Sequence, residues 1–125
     1  MVTQPAKTVL VVDDDKAILR TFSRILQKAG YKTETAENGK EALDKIRTGC
    51  FDIALIDVIL RDSNGLDLLP RIEESSCKTV KIMISGSEST ERRAQACVNG
   101  ADAFLTKPVD PEALLTVFQE KLRIR

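Results

Sequence analysis

Histidine and tryptophan do not occur in this chain of 125 residues, and the three cysteines, Cys50, Cys77 and Cys97, are odd in number and far apart. With no imidazole to join them, scattered thiols support neither a Cys/His zinc site nor a disulfide framework, so they read as small buried or half-buried side chains. No window approaches the roughly 20 apolar residues of a membrane span, and the opening "MVTQPAKT" is polar. A soluble, cytoplasmic protein is expected. The nineteen basic and nineteen acidic residues cancel, which removes the electrostatic reason for nucleic-acid or membrane-surface binding. A "GxxxxGK" loop for ATP is missing too. With five aromatic residues in all, and three acids where a phosphate loop would stand, flavin binding is disfavoured.

What the chain does have is alternation. Short apolar, β-branched runs at "TVLVV" (8–12), "FDIALI" (51–56), "KIMI" (81–84) and "AFL" (103–105) read as strands buried on both faces, whereas "KTETA" (32–36) alternates and reads as an edge strand. Between them lie segments of helical period. Ile18, Leu19, Phe22, Ile25, Leu26 and Ala29 share one face and end at Gly30; Asn38 caps a second helix carrying Ala42, Leu43 and Ile46 and stopping at Gly49. A third helix has Leu66, Leu69 and Ile72, with Pro70 near its start. A fourth, over roughly 88 to 99, offers only Ala94, Cys97 and Val98. The last opens with "DPE" (110–112) and presents Leu114, Leu115, Val117, Phe118 and Leu122. Strict alternation predicts one α/β domain over 1–125, with a core at about 8–122. Its architecture is an open, doubly wound, five-stranded parallel sheet whose ligands bind beyond the carboxyl ends of the strands.

Those ends carry the polar residues. Asp13 and Asp14 follow the first strand, Asp57 the third, Ser85 the fourth and Lys107 the fifth. Asp15, and even Asp14, can be explained as a helix cap, and Ser85 and Lys107 taken singly as turn residues. Asp57 resists such an explanation, because a carboxylate within the apolar run "ALIDVIL" must be paired, coordinated or at the strand's very end. Asp13, Asp14 and Asp57 brought together would repel one another unless a cation joined them, and a hard divalent ion, Mg²⁺ above all, suits such oxygen donors. With Lys107 as a positive charge and Ser85 as a hydroxyl donor, the set describes a phosphoryl site beside a nucleophilic carboxylate.

The stretches "VLVVDDD", "DIALIDVILRDSNG", "KIMISG" and "AFLTKPV" resemble, in order, the signatures of response-regulator receiver domains, the phosphoacceptor modules of two-component signalling, from about Thr8 to Leu122. The resemblance implies the strand order 2-1-3-4-5 of a flavodoxin-like fold. It also implies phosphorylation of Asp57, and Mg²⁺ held by Asp13, Asp14, Asp57 and the carbonyl of Ile59. Ser85 becomes the switch residue, Phe104 the aromatic that moves with activation, and Lys107 the phosphate-contacting lysine before a cis Pro108. The phosphate would come from a histidine kinase or phosphotransfer protein. Output would use the surface formed by the helix at 88–99, the last strand and the last helix, where "ERR" (91–93) offers contacts, and a homodimer is compatible with it. The chemistry is confined to self-phosphorylation and self-dephosphorylation, so this is not an enzyme in the ordinary sense. A receiver-like docking module independent of phosphate is the alternative, disfavoured because every site residue is present. Departures from the pattern are Arg61, where proline is usual, and Gly86, where alanine is usual. With apolar Ile59 and small Ser87 flanking the site, slow self-dephosphorylation is expected.

Overall fold

A computed structural model describes residues 5–75, 77–86, 95–96 and 99–124 of the chain. Five strands, β1 (Thr8–Val12), β2 (Lys32–Ala36), β3 (Ile53–Asp57), β4 (Val80–Ser85) and β5 (Ala103–Thr106), pair in parallel in the order β2-β1-β3-β4-β5. Four helices connect or follow them among the described residues: α1 (Lys16–Lys28), α2 (Gly39–Thr48), α3 (Leu68–Glu73), which is entered through a 3-10 turn at Gly65–Asp67, and α4 (Pro111–Ile124). The helix expected at 88–99, with Ala94, Cys97, Val98 and "ERR", falls largely outside the described residues, as does Ser87. Ala96, which the predicted apolar stripe omitted, is buried among the core residues.

The sheet separates two cores. One face carries Leu10, Val12, Ala54, Ile56 and Met83 against Ala42, Leu69 and Ile72; the other carries Val9, Val11, Ile53, Leu55, Ile82 and Ile84 against Leu19, Phe22, Leu26, Leu114 and Phe118. Phe22, on the apolar face that the sequence predicts for the first helix, is part of this second core. β3 and β4 are buried along their whole length, and this is why all their residues but Asp57, Lys81 and Ser85 are apolar. β2 alternates exposed and covered positions, as an edge strand should. Local signals place the helices. Asp15 caps α1 by accepting from the backbone N–H groups of Ala17 and Ile18, a contribution of about 1 kcal/mol, and Asn38 caps α2 through Glu41 N–H. Gly30 takes the left-handed conformation (φ 96°) that ends α1. Pro70 sits in the first turn of α3, where its missing N–H has no intrahelical acceptor to lose.

One expectation fails. Cys50 and Cys77 form a disulfide, with Cα atoms 5.7 Å apart. Each cysteine stands three residues ahead of its strand, and Ile53 and Val80 are partners in the β3–β4 ladder. The two connections therefore run side by side, stitched by Val80 N–H to the Asp52 carbonyl at 2.9 Å and by Thr79 Oγ1 to the Phe51 carbonyl at 2.8 Å. Parity of cysteines ruled out a fully paired framework; it could not exclude one bridge set by strand register.

Candidate functional site

Register decides what meets at the carboxyl end of the sheet. Val12 pairs with Ile56, so Asp13, one residue on, stands level with Asp57; Ser85 pairs with Thr106, so Lys107 lies one step further out. Lys107 N–H continues the ladder to the Ser85 carbonyl at 2.8 Å. Its side chain folds back to donate to Asp13 Oδ2 at 3.0 Å and Asp57 Oδ2 at 2.9 Å. Asp13 is 3 % exposed, Asp57 9 % and Ser85 fully buried, so the carboxylates are held where water screens them poorly.

The other oxygen of each carboxylate is also used. Asp13 Oδ1 accepts from Asp15 N–H at 2.9 Å, and Asp57 Oδ1 accepts from Ile59 N–H at 3.0 Å. Burial pushes the Asp57 carboxyl above its usual range, against the Lys107 hydrogen bond and the Ile59 amide that pull it down. For Lys107, burial works to lower the ammonium, but its bonds to Asp57 and Asp13 outweigh that and hold it above the usual lysine value.

The three consecutive acids have three destinations. Asp13 enters the cup, Asp15 caps α1, and Asp14 turns to the guanidinium of Arg61 at 4.0 Å. Among the described residues no three carboxylates close around one point; the Lys107 ammonium stands between the two that converge. Phe104 is half-buried on β5 and packs against the Met83 face of the sheet. The Lys107–Pro108 peptide is cis.

The loop after β3 contains residues that sequence reasoning did not assign. Asp62 accepts from Gly39 N–H at 2.9 Å and Lys40 N–H at 3.2 Å, tying the loop to the start of α2, and the Gly39 bond foremost keeps the Asp62 carboxyl below its usual range. Leu60 N–H reaches the Ser63 carbonyl at 3.1 Å, Gly65 N–H the Val58 carbonyl at 2.6 Å, and Asn64 Oδ1 takes Leu66 N–H at 2.9 Å. A Cβ at Gly65 would run into the Asp57 carbonyl, so glycine there is a steric requirement of the site. The "DSNG" pattern, rich in side chains that bond nearby backbone, was the available signal for this clamp.

The family model for the response regulator receiver domain matches residues 9–119. The chain is 32 % identical over 117 residues to the transcriptional regulatory protein DltR of Streptococcus agalactiae, covering 94 % of this chain and 50 % of that protein. Among solved structures, a CheY-like receiver domain protein from Methanospirillum hungatei superposes with a TM-score of 0.90 at 40 % identity over 94 % of both chains. A response regulator from Burkholderia pseudomallei, described with a phosphorylated aspartic acid, a calcium ion and citrate, gives 0.85 at 29 % identity, covering 94 % of this chain and 69 % of that one. The chain belongs to the response-regulator receiver domain family, a class of signalling modules in two-component systems. It spans half the length of the curated relative DltR.

Proposed function

We propose that Asp57 is the phosphoacceptor of a two-component relay, charged by a partner histidine kinase or phosphotransfer protein in the cytoplasm. The observation that carries this is the buried pair Asp13 and Asp57 sharing one ammonium, Lys107, at the carboxyl edge of β1, β3 and β5. Two poorly solvated carboxylates facing one point suit a hard cation, and the oxygen donors at hand fit Mg²⁺: Asp13, Asp57, Asp14 once released from Arg61, and the Ile59 carbonyl. When bound, the ion neutralises charge on the incoming phosphoryl oxygens.

The chain's own groups do the rest. An Asp57 carboxylate oxygen attacks phosphorus, and the bond to the donor's imidazole nitrogen or acyl oxygen breaks, its electron pair leaving with the donor. Lys107, already held at Asp57, follows the new negative charge, and the Ser85 hydroxyl supplies a further donor. Drawing Ser85 and Lys107 together moves the connection after β4, and Phe104 follows on β5; this is the local charge event that a downstream output protein or domain reads. Intact mass after incubation with Mg²⁺ and acetyl phosphate tests the assignment. An Mg²⁺-dependent phosphoryl adduct on the native chain, lost in Asp57→Asn, is expected; no adduct, or one that survives the substitution, overturns it.

Ile59 is 56 % exposed and presents only hydrocarbon beside Asp57. It offers nothing to orient an attacking water, so the phosphorylated protein is expected to decay slowly. Loss within seconds, followed by mass, would refute that expectation.

A further inference from the structure

At the opposite end of the sheet, we infer that Cys50 and Cys77 form a reversible dithiol–disulfide redox site, oxidised by a small anionic disulfide of the glutathione type. This stands whether or not Asp57 takes phosphate. Three observations converge on it. The pairing follows from strand register and not from a chance approach of side chains, since both connections enter neighbouring strands at equivalent steps. Cys50 is exposed and Cys77 half-buried, so an attacking thiolate can reach the bond, and exposed disulfides are the labile ones.

The surroundings are also cationic. A cleft of about 450 Å³ beside the bridge is lined by Arg47 and Arg71 together with Glu74, and a second of similar size, on the Cys77 side, by Lys78, Lys81 and Lys121 with Glu73 and Asp102. Among the described residues the ion pairs of Arg47 and Arg71 are with exposed acids, Asp44 at 3.9 Å and Glu74 at 4.0 Å, and such pairs leave most of each charge available. These cations complement the carboxylates of a glutathione-like molecule.

The chemistry balances without any group the protein lacks. The Cys50 thiolate attacks one sulfur of glutathione disulfide, forming a Cys50–glutathione mixed disulfide and releasing one glutathione thiolate. The Cys77 thiolate then attacks the Cys50 sulfur, closing the bridge and expelling the second. Two protein thiols give up two electrons and two protons, and one glutathione disulfide leaves as two glutathione thiols. Excess reduced glutathione runs the same steps backward.

Closing this bridge ties the α2–β3 connection to the α3–β4 connection across a sequence separation of 27. Restricting a loop of that size in the unfolded chain should raise the melting temperature by roughly 5–15 °C. The test incubates the wild-type chain in buffers of varied oxidised-to-reduced glutathione ratio, maps the cysteines by alkylation and peptide mass, and records melting in each. Cys50 and Cys77 should interconvert between dithiol and disulfide as the ratio changes, with the melting shift tracking the disulfide fraction and absent in Cys50→Ser. The inference is overturned if the two thiols stay unpaired in oxidised glutathione. It is equally overturned if the bridge persists in excess reduced glutathione, or if oxidised and reduced protein melt alike. Because reversal is read on the unsubstituted chain, the outcome does not depend on the variant folding.

Discussion

Each end of the sheet holds a lysine between two carboxylates, and the two triads are electrostatic opposites. At the amino end Lys81 has a side chain only 8 % exposed and reaches Glu73 Oε2 at 2.6 Å and Asp102 Oδ2 at 3.6 Å, acids with 67 % and 42 % side-chain exposure. At the carboxyl end the acids are covered, with Asp13 at 4 % and Asp57 at 11 % side-chain exposure, while Lys107 at 25 % is the wetter member. Where the ammonium is buried and the acids wet, the charges are at rest: hydrogen bonding and attraction from Lys81 hold the Glu73 carboxyl below its usual range. Where the acids are buried, one ammonium is not enough, and Asp57 is pushed the other way. The two triads thus differ in which partner the fold takes out of water, and that difference makes the carboxyl end the candidate site.

The sharpest way to break this comparison is to remove each lysine. Lys107→Met leaves two buried carboxylates without their shared donor, and a loss of about 2–3 kcal/mol is expected at neutral pH without divalent cation, toward the low end for a broken buried pair because the site lies at a sheet edge. Added Mg²⁺ should recover part of it. Lys81→Met releases Glu73 to solvent and leaves Asp102 on the residue-81 backbone N–H, and the expected cost is about 1 kcal/mol or less. Chemical denaturation of the two variants decides: equal losses would erase the distinction between the ends.

A smaller effect reads the sign. Asp57 has its folded pKa raised above the ordinary 3.8, so its ionisation opposes folding: the penalty is absent below that value and grows as pH rises through the folded pKa. Asp57→Asn should therefore melt higher than wild type at neutral pH in the absence of divalent ions, and the gain should vanish in acid. Glu73, lowered from the ordinary 4.5, stabilises above that value, and its contribution is lost as pH falls through the folded pKa. Glu73→Gln should melt lower than wild type at neutral pH, again converging in acid. Two variants moving in the same direction would mean that burial does not distinguish the two acids.

Much of the carboxyl end was legible because its signals are one-dimensional. A charge interrupting "ALIDVIL", acids directly after "TVLVV" and a lysine after "AFLT" are anomalies against strand pattern, and parallel order converts them into proximity. Binding the three acids into one group was harder. Their separate roles depend on the turn into α1: the cap at Asp15 is readable from sequence, but only coordinates show Asp14 looking outward to Arg61. The amino end was less legible still. Lys81 within "KIMI" and Asp102 ahead of "AFL" look like ordinary strand flanks until β4–β5 register sets Lys81 N–H on the Asp102 carboxylate at 2.7 Å. The Cys50–Cys77 bridge is a product of β3–β4 register, invisible to cysteine counting. Sequence pattern reports which residues are out of place along the chain; cross-strand register reports which of them meet.

Arg61 provides the finest test of the contrast, because at the acidic end it is a wet cation set against Asp14 rather than a covered one. Its side chain is 83 % exposed and reaches Asp14 at 4.0 Å, from a loop that Asp62 fastens to the start of α2. With Lys107 engaged by Asp13 and Asp57, Arg61 is what a divalent cation must displace to recruit Asp14. Such an exposed pair is worth about 0.2–1 kcal/mol, so Arg61→Ala should tighten Mg²⁺ binding by roughly 1.4- to 5-fold in a calorimetric titration. The gain should shrink as ionic strength rises, because salt already screens the contact that the substitution removes. Weaker binding in Arg61→Ala would show instead that the guanidinium helps to build the cation site, and Asp14 would then not be a ligand that Arg61 holds back.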